Sequence, residues 1–121
     1  MATPNKIIEH VDNVKPNVYR AEEKFQWLCD LDGQIRRLVM QETEGVQYAF
    51  PDDMDTHLLI PHPWEGIYAL YLEAQIDLHN KDYEDYNNAV LVYTAKLEEF
   101  KKAYIREHMP KSAGNYKNVM R

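Results

Sequence analysis

Seven apolar or aromatic residues near the end of the chain recur at alternating steps of three and four. They are Tyr83, Tyr86, Val90, Tyr93, Leu97, Phe100 and Tyr104. This heptad-like spacing is typical of an α-helix that buries one face. It predicts a helix that Asp82 caps and Pro110 ends. A helix at roughly 64–80, after Pro63 and up to Asn80, precedes it by very few residues, so we expect an antiparallel helical hairpin.

The start of the chain carries a second set of helix signals. Thr3 can cap a helix, and Pro4 suits its first turn. Pro16 would stop it, so the pattern predicts a short helix over about 4–14.

An apolar stripe then follows the helical period over 22–40. Asn17 is the expected cap of this helix. Gly33 lies inside it and is unfavourable there by about 1 kcal/mol relative to alanine. It therefore predicts the close approach of another backbone, or else a bend.

Residues 43–62 break the period, and Gly45, Pro51 and Pro61 punctuate them. A loop of about twenty residues is long for a compact domain, so we expect it to be functional or to hold its own short structure. Residues 111–121 have no period and are predicted to be a flexible tail. The expected fold is an all-α bundle of about four helices, with one domain at 1–110 and a basic tail at 111–121.

Composition narrows the classes of function. The 121 residues suffice for one domain. The formal net charge of -6 argues against a generic nucleic-acid binder. A single cysteine excludes an internal disulfide, and no apolar run approaches the roughly 18 residues of a membrane span. Glycine-rich phosphate loops, Gly-x-Ser-x-Gly and Cys-x-x-Cys are absent from the sequence. We expect a soluble, intracellular protein without a cofactor.

Charge is unevenly distributed along the chain. Residues 42–85 contain eleven acidic residues and one base, Lys81, whereas residues 111–121 carry three bases and no acid. An acidic body with a basic tail suggests that the tail docks on a negative surface, such as a neighbouring copy. A solvated terminus is the alternative.

The middle loop holds the most metal-like cluster, formed by Asp52, Asp53, Asp55 and His57. An EF-hand would also need glycine and glutamate where Leu58 and Trp64 stand. A solvated, capping or interface loop is therefore the preferred interpretation.

Two other chemistries are weaker. His57, His62 and His79 could bind zinc with Asp77, but no two histidines stand four residues apart on one helix. Cys29 lies beside an apolar stripe, where a free cysteine usually behaves as a small hydrophobe.

Aromatic and basic residues admit two interpretations. The seven heptad-spaced residues from Tyr83 to Tyr104 form a seam, and of these Tyr86, Tyr93 and Tyr104 are predicted to be core. For Tyr68, Tyr83 and Trp64, near helix ends, subunit contact and core are equally plausible. The adjacent Arg36 and Arg37 could pair with an acidic partner surface, or with Asp30 and Asp32 on their own helix.

The order of several short patterns resembles a known family. The patterns are Lys15-Pro16-Asn17, Phe25-x-Trp27-Leu28, Leu31-Asp32-Gly33-x-Ile35, Tyr48-x-x-Pro51-Asp52-Asp53-x-Asp55, Ile67-Tyr68, Tyr83-x-x-Tyr86-Asn87-Asn88 and Tyr104-x-Arg106-x-His108-x-Pro110. Over about residues 7–110 the chain resembles the small head-tail connector proteins of tailed bacteriophages and prophages.

This resemblance implies a non-enzymatic virion protein built as a helical bundle. Such connectors assemble into a ring below the portal protein, extend the DNA channel and offer a docking surface for a tail-side or stopper protein. The implied partners are other copies of the chain, the portal protein and that next protein, while DNA passes without sequence-specific binding. An acidic surface facing the channel would repel DNA phosphates.

The residues we expect at subunit or portal contacts are Arg36, Arg37, Tyr48, Phe50, Asp52, Asp53, Asp55, Trp64, Lys111, Lys117 and Arg121. One alternative is a dimeric regulatory module of a mobile element that uses the hairpin as a dimer seam and the tail for nucleic acid. Another is a small metal-dependent enzyme on the 52–62 loop.

Overall fold

A computed structural model describes residues 2–42 and 47–108, and within these ranges it is helical and has no strand. The helices are α1 (Pro4–Val14), α2 (Ala21–Gln34), α3 (Gly66–His79) and α4 (Tyr83–His108), with a π-helical turn at Ile35–Val39 continuing α2. The predicted small all-α bundle is confirmed. The predictions for Gly45, Pro110 and the tail at 111–121 lie outside the described residues.

Helix α1 has the bounds and the cap that the sequence predicts. The Thr3 side-chain oxygen accepts a hydrogen bond from the Lys6 N–H at 3.3 Å, and Pro4 occupies the first turn. Ile7, Ile8 and Val11 are buried against the rest of the bundle. Local capping and apolar spacing thus agree at this helix.

The start of α2 corrects the predicted cap. Arg20 precedes the helix and makes no side-chain capping bond. The side-chain Oδ1 of Asn17 accepts the N–H of Tyr19 at 3.1 Å instead, and it also accepts a bond from the buried Lys24 ammonium at 3.1 Å. Lys24 pairs with Asp12 at 2.6 Å, so this cluster joins α1 to α2.

The surroundings of Gly33 exclude one of its two interpretations. A Cβ added at Gly33 would meet nothing within 4 Å, so the predicted close approach of another backbone is wrong. The helix passes into a π-helical turn two residues later, at Ile35. Such turns are a common cause of helix bending, which agrees with the alternative.

The α3–α4 connection is a tight reversal. Asn80 ends α3 as predicted, and Lys81 adopts a left-handed conformation with φ of 64°. The Asp82 N–H bonds to the Asp77 carbonyl at 2.9 Å and the Lys81 N–H to the Leu78 carbonyl at 3.0 Å, which is a Schellman motif.

The two helices then run antiparallel, as two ring pairs show. Trp64, just before α3, lies against Phe100 with ring centroids 6.3 Å apart, and Tyr71 lies 5.3 Å from Tyr93 further along α3. Positions that advance along α3 therefore meet positions that recede along α4. The predicted hairpin is confirmed, with α3 starting at Gly66 rather than 64.

The core lies between α1, α2, α3 and the middle loop, and α4 contributes little to it. Phe100 is the only fully buried residue of α4. The seam residues Tyr86, Tyr93 and Tyr104, predicted to be core, are only partly buried, and Tyr83 is 57% exposed. Among the described helices, none combines the length and apolar content that crossing a membrane requires.

Candidate functional site

A buried carboxylate on α2 anchors the middle loop. Asp32 is fully buried, and its Oδ1 accepts a hydrogen bond from the Tyr68 hydroxyl at 2.5 Å. Its Oδ2 accepts the Tyr48 hydroxyl at 2.9 Å and the Leu59 N–H at 3.1 Å. The Tyr68 oxygen in turn accepts the Ile60 N–H at 2.7 Å. One side chain therefore connects α2, α3 and both ends of the described loop.

Burial and hydrogen bonding act in opposite directions on the pKa of the Asp32 carboxyl. Within 2–42 and 47–108, no Lys, Arg or His forms an ion pair with Asp32. Burial raises the pKa of the Asp32 carboxyl, and the bonds from Tyr68, Leu59 and Tyr48 lower it in part. Three donors on one carboxylate suit the ionised form, because an ionised carboxylate only accepts hydrogen bonds.

The first residues of the chain hold the other side of the loop. The Leu58 N–H bonds to the Ala2 carbonyl at 3.0 Å, and the Asn5 N–H bonds to the Met54 carbonyl at 2.9 Å. The Asn5 amide also donates to Asp55 at 3.3 Å. With Leu58 and Ile60 buried, this segment is an integral part of the fold.

Several of the residues predicted at subunit or portal contacts instead make contacts within this chain. Tyr48 is partly buried on Asp32, and Trp64 is partly buried against Phe100. Asp53 accepts the Ala49 N–H at 2.6 Å, so it stabilises a turn within the loop. Tyr68, for which subunit contact was an open possibility, is fully buried and belongs to the core.

Other predicted contact residues face solvent. Phe50 packs at 5.4 Å against Phe25 and remains 38% exposed, and Asp52 and Asp55 are exposed. Arg37 is exposed as well. Lys111, Lys117 and Arg121 lie outside the described residues.

Of the two alternatives for Arg36, pairing with Asp30 or Asp32 on its own helix does not occur. Arg36 pairs with Glu42, beyond the π-helical turn. Asp30 instead accepts a bond from the Gln26 amide at 3.0 Å, and Asp32 is enclosed in the network with Tyr68.

The metal-like cluster of the middle loop does not converge. In the described part of the chain, the acidic group whose oxygens approach one another within 4.8 Å comprises Asp77, Asp82 and Asp85. Lys15 already pairs with Asp77 at 2.8 Å, so this group has a structural partner that joins α1 to α3.

The histidines and the cysteine have structural surroundings too. His62 bonds to Glu65 at 2.5 Å, while His79 stacks on Trp27 at 4.6 Å. Cys29 is buried, and burial raises its pKa to about 12. A raised pKa keeps the thiol protonated, which is the opposite of what a nucleophile needs.

The surface of α4 carries apolar side chains that the seam does not include. Leu91 is 70% exposed, and Val92 and Ile105 are each 51% exposed. Leu91 and Ile105 are fourteen residues apart, so they lie on nearly the same side of the helix. Sequence reasoning missed them because it followed the seam, although their positions off the seam were visible.

No family model matches the sequence, and neither a curated protein nor a solved structure matches it. The resemblance to head-tail connectors therefore stays a prediction.

Proposed function

We propose that this chain is a non-enzymatic structural protein of a phage or prophage head-tail junction. In this proposal, copies assemble into a ring below a portal protein and continue the DNA channel toward a tail-side or stopper protein. The sequence resemblance supplies the class of function. The surface of α4 supplies the physical support.

The observation that carries the proposal is the exposed apolar pair on α4. Leu91 and Ile105 lie about 21 Å apart along the helix, at 1.5 Å per residue. In the proposed ring, a neighbouring copy would cover both side chains. Because a ring joins two different faces of each subunit, α4 would be one face of a heterologous interface.

The middle loop is a candidate for the opposite face. Its backbone is anchored at Asp32 and at Asn5, while Phe50 and Asp52 remain exposed. An ordered loop can present these side chains without first losing conformational freedom on binding. In the ring, we expect the loop to contact a neighbouring copy or the portal protein.

Assembly is tested by size-exclusion chromatography with light scattering, on the chain alone and on a mixture with a cognate portal protein. The proposal expects a discrete large oligomer, or co-elution with the portal protein. Replacing Leu91 and Ile105 together by lysine should abolish the association. Val18→Lys is the matched control, since Val18 is 90% exposed and lies outside α4.

Other outcomes would reject the proposal. A dimer that ignores the portal protein and binds DNA would favour the regulatory module instead. A monomer unaffected by the portal protein would contradict both interpretations. If a ring forms and its lumen is neutral or basic, the idea that an acidic channel repels DNA is wrong.

A further inference from the structure

Two adjoining surface depressions lie along one side of the α3–α4 hairpin. The larger has a volume of about 580 Å³, with an apolar floor that includes Trp64, Ile67 and Leu70. The smaller, about 320 Å³, is lined by Phe100, Tyr104 and His108 among others. Pro63 and Trp64 line both, so the two depressions meet at these residues, and we call the pair the hairpin groove.

The hairpin groove begins where the described chain ends. His108 is the last described residue, and it lines the smaller depression. Glu99, on the larger depression, lies nine residues earlier on α4, which is about 14 Å along the helix. The thirteen residues 109–121 can span up to about 45 Å when extended. Tyr116, eight residues past His108, therefore reaches the larger depression easily.

The charges of residues 109–121 are complementary to those of the groove. Residues 109–121 contain Lys111, Lys117 and Arg121 and no acidic side chain. Among the described lining residues, the groove carries Glu107 at its near end, Glu73 and Glu99 at its far end, and Lys96 as its one lysine. The floor is apolar, and the segment offers apolar side chains at Tyr116, Val119 and Met120.

The other acidic region is a poorer match by distance. Asp82 and Asp85, at the start of α4, lie at least twenty-three residues from His108, which is about 35 Å or more along the helix. Only the last residues of an extended segment could return that far. The length of segment 109–121 therefore favours the groove over the acidic surface at Asp82 and Asp85.

We infer that the C-terminal segment 109–121 binds in the hairpin groove of its own chain. Tyr116 or its apolar neighbours cover the floor near Trp64, and the basic side chains face Glu99 and Glu73. This inference does not depend on ring assembly, because it concerns one copy of the chain.

Paramagnetic labelling of the full-length chain tests the inference. A nitroxide is attached to an Ala113→Cys variant, and the amide signals of the isotope-labelled protein are compared before and after the nitroxide is reduced. Cys29 is buried with a pKa raised to about 12, so the wild-type chain, treated identically, is the control for selective labelling.

The expected result is a loss of intensity at Leu70 and Glu99 that is absent at Val18. The loss should persist on dilution with excess unlabelled chain, which shows that it arises within one molecule. Glu99→Lys should weaken it. Glu98→Lys is the matched control, because Glu98 and Glu99 each face a lysine three residues away but Glu98 does not line the groove.

Three results would overturn the inference. The first is an absence of intensity loss in the groove. The second is a loss seen only when nitroxide-bearing and isotope-labelled molecules are mixed, which would assign the segment to a second copy. The third is an equal effect of Glu98→Lys and Glu99→Lys, which would mean that the segment responds only to overall charge.

Discussion

The described part of the middle loop, residues 47–62, is irregular in sequence but contains fully buried residues, whereas helix α4 is regular in sequence but largely exposed. The loop has no helical period, yet Leu58 and Ile60 are buried and its backbone bonds to Asp32 and to the chain start. Helix α4 has the most regular pattern in the sequence, yet it buries one residue completely, Phe100. Regular spacing thus predicted the helix but not its depth in the fold.

The physical reason is that a period describes one element, whereas burial needs a partner. A helix seam becomes core only where other elements cover both of its flanks. In this chain α3 lies along α4, and the π-helical turn adds contacts near Leu97. The rest of the seam is half-covered, which leaves surface for other proteins or for the C-terminal segment.

The largest effect is expected from truncating Phe100, the fully buried residue of α4. Phe100→Ala should lower the free energy of unfolding by about 4 kcal/mol, because it removes a buried ring and leaves a cavity next to Trp64 and Tyr104. Urea denaturation followed by circular dichroism measures the change.

Leu91→Ala is the matched control on the same helix. Leu91 is 70% exposed, so its truncation should change the free energy of unfolding by no more than about 0.5 kcal/mol. The comparison requires a concentration at which light scattering shows a monomer. Equal losses from the two substitutions would mean that α4 is packed on both sides.

The loop side of the comparison depends on Asp32. Asp32→Ala should lower the free energy of unfolding by about 3 kcal/mol, because it leaves the buried Tyr68 hydroxyl without its acceptor and releases Tyr48 and the Leu59 N–H. The same denaturation experiment applies, and hydrogen exchange at Leu59 should accelerate as the loop loosens.

Asp30→Ala is the control for a lost carboxylate on α2. Asp30 is exposed and accepts one bond from Gln26 on its own helix, so about 0.5 kcal/mol is the largest change expected. If the two variants lost equal stability, the network around Asp32 would not be the anchor of the loop.

Much of the fold could be predicted from local sequence signals. Thr3 and Pro4 located the start of α1, Asn80 located the end of α3, and the seam located α4. Each of these signals acts within a few residues of the backbone that it controls. The failures at Asn17 and Gly33 were also local, because the Asn17 side chain bonds elsewhere and no other backbone approaches Gly33.

The candidate site was much less readable. Asp32 and Tyr68 are thirty-six residues apart in sequence, and Asp32 and Leu59 are twenty-seven apart. No period or motif connects such residues, so the sequence suggested Asp32 only as a possible partner of Arg36 or Arg37. Tyr48 was expected at a subunit or portal contact, and only the fold shows that its hydroxyl donates to Asp32.

The smallest expected effect is the pH dependence that Asp32 confers on the loop. Burial raises the pKa of this carboxyl above its ordinary value of 3.8, so the folded chain holds the proton more tightly than the unfolded chain does. The stabilising contribution is complete below pH 3.8 and is lost as pH rises through the raised pKa. The difference in unfolding free energy between the wild type and Asp32→Asn should therefore fall as the pH rises above 3.8, and subtracting the variant removes the other titrating groups. The effect is smaller than that of Asp32→Ala because the ionised carboxylate keeps all three donors paired. If the difference rose with pH instead, the three hydrogen bonds would outweigh desolvation, and the loop would be anchored by a carboxylate that burial does not destabilise.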